Sequence, residues 1–535
     1  MKPGRASTTF VLAAAVAVGV VASGCGSSKV AAGGTFKYAI VGGDPGTISP
    51  FDLATSDSIE IAKNLYDGLV DYNPETAKIQ PVVAASWDHN EDSTEWTFHL
   101  KRGLKFSNGE QLTAQSFIAD WDVVANPKSR STISYHFSTI DGFDEMQSAG
   151  GKIKHLRGVS APDRYTLQVK LSRPDNVFDY RVGHPAFSPI PVNAFKRRGK
   201  QAFAEHPIGN GPFVVVSYKH NQQIVVKRNP HYRTGATPKL DRVIFKIYAS
   251  DDAAYKDFQA HDLDETEVPI AKIVQAEKNP SWNYISHPIL SLYFYGFKVD
   301  VEPWKSSIKL RQAINYAIDR QNIVDNVWNG AATVATGIVP PTIPGYESGA
   351  MPYRYDPARS KQLLKQAGYP NGRGLDKLVL GYNTGSGHEE VAAAIQADLK
   401  RVGIDMDAKG YAEFTTQFIP KLQAGDIDFF RLGWGADYPV QDNFIFPLFY
   451  GPNSGSDNLS YFKDAGIDAS IVRAQAEPDV AKREAEYRSI EKRILDQAPI
   501  APIFFYKTKR VTWDNVDGYV RSLFDDTPLE LASFK

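Results

Sequence analysis

Between residues 301 and 498 the chain alternates amphipathic helices with short apolar strands, and after residue 498 it turns back to strand. Strands interleaved with helices build an α/β lobe, and a strand that returns late has to cross back into an earlier lobe. The segment "YDPARSKQLLKQAG" carries Asp356 as a cap, Pro357 at the first helical position and Gly368 as a stop. "IKLRQAINYAIDRQNIVDNVW", "HEEVAAAIQADLKRVG" and "PDVAKREAEYRSIEKRILDQ" read as further helices. "DKLVLGYN", "IDFFRLGW", "APIFFYKTKRVTW" and "VDGYVRSL" read as strands.

The first half has a different character. "GTFKYAIVGG" reads as a strand, and "SDSIEIAKNLYDGLVDYN" as a helix capped near Ser56 or Asp57 with an apolar face at Ile59, Leu65 and Leu69. From about Asp71 to Arg173 short alternating strands such as "TEWTFHLK" and "RYTLQVKL" surround one helix, "TAQSFIADWDVV", which reads as an inserted α+β subdomain. "NQQIVVKRN" and "LDRVIFKIYA" are strands again. At 535 residues, 42% of them hydrophobic, the chain can fill two to three domains, and a formal net charge of -1 gives no attraction to nucleic acid.

Lys2 and Arg5 precede an apolar run from Phe10 to Val21, too short to span a bilayer, which reads as an export signal. It runs through "VASGCGSS" into Cys25, the only cysteine of the chain, in a sequence similar to a bacterial lipobox with Ala22 where Leu is usual. The expectation is cleavage before Cys25, acylation of that residue with a palmitate-type chain, a tether over 26–33, and attachment to the outer face of the cytoplasmic membrane.

No enzyme signature stands out. "HEEVA" at His388 lacks the second histidine of a zinc helix, no Gly-x-Ser-x-Gly elbow occurs, and the Gly-rich turns lack a phosphate-cradle pattern. The eleven histidines have no metal spacing, so neither catalysis, a cofactor nor a metal is expected. The segment "FFRLGWGADYPVQDNF" is more informative, because Arg431 and Asp437 stand among glycines and aromatics, and Trp434 and Tyr438 can line a pocket. Asp437 can equally be a turn former before Pro439, Arg431 can pair with Asp428, and His388 can simply open a helix.

"GGDPGTISPFD", "NLYDGLV", "WTFHLKRGLKFSNGEQLTAQSFIADW", "IGNGPFVVVSY", "VVKRNPHYR" and "IKLRQAINYAIDRQNIV" follow one another in an order that resembles extracellular solute-binding proteins of family 5, the oligopeptide- and dipeptide-binding components of ABC importers. The resemblance runs from about Gly34 to the C-terminus. It implies an α/β, periplasmic-binding-protein-like, two-lobed clamp with an extra inserted α+β subdomain, the cluster C type. The expected division is 1–25 signal, 26–33 tether, 34–66 with 190–295 and 505–535 as lobe I, 67–189 as the inserted subdomain, and 296–504 as lobe II.

By the same resemblance, Asp437 in "GWGADY" pairs with a peptide ammonium, while Arg431 and His388 serve a ligand carboxylate. Gly433, Trp434 and Gly435 on one lobe and Ala54, Thr55 and Ser56 on the other would pair with the ligand backbone, Tyr438 would give cover, and a third basic position of some relatives falls at Asn315. The implied protein is a monomeric peptide-capturing lipoprotein that delivers oligopeptides to a permease and ATPase. The alternatives are a dipeptide, nickel chelate, haem, opine or disaccharide in the same fold, or an exported hydrolase.

Overall fold

The computed structural model describes residues 33–53 and 55–535, so Cys25, Ala54, the export signal and almost all of the tether lie outside the described residues. Two large sheets carry the molecule. The first has seven strands in the order Trp282–Ile285, Arg510–Trp513, Glu265–Glu267, Thr35–Val41, Arg242–Tyr248, Gln223–Arg228 and Phe213–Lys219. The second has six: Ala332–Val334, Ile500–Lys507, Pro288–Phe297, Phe429–Gly435, Leu378–Asn383 and Met406–Tyr411. A separate four-stranded antiparallel sheet, containing Glu95–Leu100 and Thr166–Lys170, occupies the inserted region with the helix Ala114–Ala125 packed on it.

The chain passes between the two large sheets at two adjacent points. Trp282–Ile285 belongs to the first sheet and Pro288–Phe297 to the second, while Ile500–Lys507 belongs to the second and Arg510–Trp513 to the first. The crossings lie side by side, and Thr508 N–H donates to the His287 carbonyl at 2.9 Å. Residues 288–295 and 505–507, expected with lobe I, therefore hydrogen-bond in the second sheet. The Pro288–Phe297 strand is buried on both faces: Tyr293 and Tyr295 enter one core, Leu292 and Phe294 the other. Such a strand has to be central in a sheet covered by helices on both sides.

Most long helices start and stop where the sequence places them. Asp356 caps Pro357–Gln366 through a bond to Arg359 N–H at 2.8 Å, and Gly368 beyond it takes φ +91°, a conformation that favours glycine. Two expected helices are shorter. The helix at Ser56 is capped by Thr55 and ends at Lys63, because the Leu65 carbonyl accepts from Gly211 N–H (2.9 Å) across the core instead of continuing the helix. The segment opening at Ile308 leaves the helix after Ala317, where the buried Arg320 guanidinium takes the Asn315 carbonyl at 2.8 Å. "VDGYVRSL" keeps only the strand Val516–Asp517, and its Arg521 instead forms a buried ion pair with Glu60 (2.9 Å). No helix among the described residues is long and apolar enough to cross a membrane.

Candidate functional site

The strand Phe429–Gly435 and the loop that follows it carry six of the ten predicted site residues. It pairs along its whole length with Pro288–Phe297 on one side, but on the other meets Leu378–Asn383 only at Phe429 and Phe430. Ala436 N–H donates to Leu290 O at 2.8 Å, so residues 432, 434 and 436 turn their backbone groups towards that partner. Gly433 and Gly435 then face the other edge, where no strand of the sheet follows. A Cβ at Gly433 would stand 3.3 Å from the Tyr506 hydroxyl, whereas Gly435 has only Ser291 Oγ within reach, at 3.9 Å. An extended chain can approach the protein backbone here.

Arg431 lies on the strand face shared with Tyr293 and Tyr295. It is 6% exposed, its guanidinium sits 4.4 Å over the Tyr293 ring, and it donates to Asn383 Oδ1 at 3.0 Å and to the Tyr506 hydroxyl. Its Nε has no partner, and no carboxylate lies within ion-pairing distance among the described residues, Asp428 included. His388 opens the helix His388–Val402 and is buried near the same ring, 5.5 Å from Tyr293 between centroids. Burial, with the charges of Arg431 and Lys509, pushes its pKa well below 6.5, so it is a neutral imidazole with a free Nδ1. The structure thus brings Arg431 and His388 together around Tyr293.

Asp437 is at the far end of the segment, six residues on, in a loop after the strand. Its Oδ2 accepts from Asn443 Nδ2 at 3.0 Å and its N–H donates to Asn443 Oδ1 at 2.8 Å, a contact shared with Trp434 Nε1 at 3.3 Å. Burial raises its pKa to about 6, against the opposing effects of that bond and of Arg181. Its other oxygen faces His184 Nε2 at 3.7 Å. Burial raises Asp457 to about 7, against the Tyr135 hydroxyl and with a smaller contribution from the charge of Asp437.

Four residues singled out in the sequence have other employment. Tyr438 is 1% exposed, and its hydroxyl accepts from Arg181 and donates to Asp442 at 2.7 Å, so it is held inside an ion-pair network. Asn315 is a core residue donating to Arg311 O and Ile500 O, both at 3.2 Å. Thr55 closes a capping box with Ser58, and Ser56 begins that helix. Reading the sequence missed Tyr135, His136 and His184 from the inserted region, and Asn443 and Asp457 beyond the motif. Only Asn443 stood near enough to Asp437 to be suspected.

A ligand atom each from His136, His184 and Asp437 lie within 4.8 Å of one another, a grouping that the wide spacing of the histidines conceals. The geometry fits a metal poorly. His184 Nδ1 accepts Ala186 N–H at 3.1 Å, which puts the imidazole proton on Nε2, the atom facing Asp437. The His136 and His184 rings stack at 4.4 Å and 23°, so their in-plane lone pairs run side by side and do not converge on one point.

Residues 78–456 match the model of bacterial extracellular solute-binding proteins, family 5 middle. The Bacillus subtilis (strain 168) oligopeptide-binding protein OppA is 27% identical over 504 residues, 91% of each chain. A probable deoxycholate-binding periplasmic protein, YgiS of Escherichia coli (strain K12), is 28% identical over 484 residues, 89% of each. The solved structure of the Escherichia coli murein tripeptide binding protein MppA superimposes with a TM-score of 0.84 at 27% identity, over 94% of this chain and 99% of that one. With two sheets joined by paired crossings and a further subdomain, the chain is a two-lobed α/β clamp and belongs to the bacterial extracellular solute-binding proteins of family 5.

Proposed function

We propose that this chain is the peptide-capturing lipoprotein of an ABC importer, holding oligopeptides by their backbone and terminal charges. The observation that carries the reading is the segment 431–437. A strand edge left open at Gly433 and Gly435 runs from a buried guanidinium to a half-buried carboxylate, and among the described residues the first has no acid partner and the second no lysine or arginine partner. Six residues separate the two groups, which therefore stand at most ~20 Å apart, within the reach of the two ends of a short peptide. Backbone groups and termini are what all peptides share, so a broad binder should address them and leave side chains to wet pockets.

An ammonium on Asp437 and a carboxylate on Arg431 with His388 would each complete a group that the protein leaves unmatched. Closure about the crossings at His287 and Thr508 then depends on ligand. The relatives OppA, an oligopeptide-binding protein, and MppA, a murein tripeptide binding protein, support this reading. Calorimetry with Ala-Ala-Ala, its N-acetyl form and its C-terminal amide tests it. Loss of about 2 kcal/mol is expected for each blocked terminus, and indifference to both blocks would refute terminal recognition. Anchoring through Cys25 is tested separately by labelled palmitate, whose incorporation should vanish in Cys25→Ser.

A further inference from the structure

A buried donor faces Asp437 and is as unmatched as the acid. His184 is 2% exposed, and its Nε2 has no hydrogen-bond partner. A buried N–H left unpaired is uncommon, because nothing repays its lost hydration. Its Nδ1 accepts Ala186 N–H at 3.1 Å as the cap of Pro185–Phe187, so the single proton of the neutral ring stands on Nε2. The carboxylate oxygen facing that proton is Asp437 Oδ1 at 3.7 Å, the one that Asn443 leaves free. Stacking fixes the ring, with Tyr135 on His136 at 4.3 Å and 28°, and His136 on His184 at 4.4 Å and 23°.

A neutral donor does here what a cation would not. A lysine, an arginine or an imidazolium beside Asp437 would pair with it and use up the charge that a ligand needs. An uncharged N–H favours the ionised carboxylate and leaves its charge whole. Burial, and then the charge of Lys63, push His184 down to about 3, and Lys63 itself is paired with Asp71 and Asp526. Arg181 is taken up by Asp175, Asp442 and Tyr438, and burial keeps His136 neutral as well. The remaining titratable groups that the Asp437 charge affects, Tyr72, Tyr135 and Asp457, carry no positive charge in any state. Donor and acid also come from different bodies. Phe187, close after His184, packs in the core that the first sheet shares with the inserted region, while Asp437 follows the Phe429–Gly435 strand of the second sheet. Parting the lobes parts the donor from the acid.

Resting on the reading of Asp437 as the ammonium-binding acid, we propose that His184 is a positioning residue for that acid, its Nε2–H donating to the free oxygen of ionised Asp437 and holding the carboxylate charged for the ligand's ammonium. The 3.7 Å gap is somewhat beyond hydrogen-bond range, and ionisation of Asp437 draws the two groups together. Asn443 then holds one oxygen and His184 the other, which sets the direction in which the carboxylate meets the ligand.

The test is calorimetry on the whole purified protein from about pH 5 to about pH 8.5, with Ala-Ala-Ala and its N-acetyl form. In the parent, affinity for the free-amine peptide should fall below about pH 6, where Asp437 takes up its proton. His184→Phe keeps a stacking ring and removes the donor, so that fall should begin about one pH unit higher, with binding about threefold weaker at about pH 6.5 and nearly unchanged at about pH 8.5. His184→Gln, whose amide can donate, should bring it part of the way back. The N-acetyl peptide should show no such shift, whereas a damaged fold would weaken both peptides at every pH. A fall at the same pH in His184→Phe as in the parent overturns the proposal and leaves terminal recognition intact. Equal binding of the free and acetylated peptides by the parent, or binding of neither, removes the reading of Asp437 and this proposal with it. NMR of ring-labelled histidine in the unaltered protein is an independent check: His184 should carry its proton on Nε2 throughout that range, and a protonated Nδ1 overturns the proposal. A tight site for zinc titrated alone, lost in His184→Phe, overturns it too, since a ring nitrogen that binds a metal has no proton to donate.

Discussion

Two buried arginines of this protein have opposite surroundings. Arg181, 3% exposed, is bracketed by Asp175 and Asp442, both fully buried, and links the inserted region to the second lobe. Arg431, also buried, has ring faces, an amide oxygen and a phenol around it but no ion-paired acid among the described residues. The acids divide the same way. Burial would raise Asp442, but Arg181 with Tyr487, Gln475 and Tyr438 holds it below the usual carboxylate range. Asp437, five residues away and without such partners, is raised to about 6. Saturated charges carry structure, while unsaturated ones wait for a ligand.

The largest effect that can break this comparison is in stability. Arg181→Met strands two buried carboxylates and should cost about 4 kcal/mol, seen as a lower urea midpoint. Arg431→Met removes a cation that has no counter-ion, so its midpoint should stay level or rise. It should instead weaken free-carboxylate peptides about 100-fold, roughly 3 kcal/mol, with amidated peptides spared. Equal destabilisation by the two substitutions would show that Arg431 is structural after all.

Asp437→Asn comes next, with about 2 kcal/mol lost for peptides bearing a free amine and little for N-acetylated ones. The smallest effect sharpens the contrast through pH. A carboxyl raised to about 6 is neutral below that value, and its ionisation works against the folded state as pH rises from about 4 through 6. An ammonium needs the ionised form, so affinity should fall as pH drops below about 6, by up to about tenfold per unit. Binding at pH 5.5 should release a fraction of a proton, measurable by calorimetry in buffers of different ionisation enthalpy. Asp437→Asn should flatten both effects.

Part of this was legible in the chain. Caps and periodicity located helices such as Pro357–Gln366 and His388–Val402, since the signals that start and stop a helix lie within a few residues of it. The resemblance in "GWGADY" pointed at Asp437 and Arg431. Sequence gave no hint that Asp442, in the same segment, is satisfied by a residue 261 positions earlier while Asp437 is not. It also extended the helix at Ser56 too far, because the Gly211 bond that uses the Leu65 carbonyl is made across the fold.

What the sequence alone determined is the local and the familial: the alternation of strand and helix, the capped helices, and a motif order that belongs to family 5. The tertiary structure decided which sheet the strands at 288–297 and 500–507 join and where the chain crosses. It also decided which charges are matched and which are left open. Whether a buried charge is paired depends on groups brought together from hundreds of residues apart, and burial, which sets the cost of leaving it unpaired, exists only in the folded state.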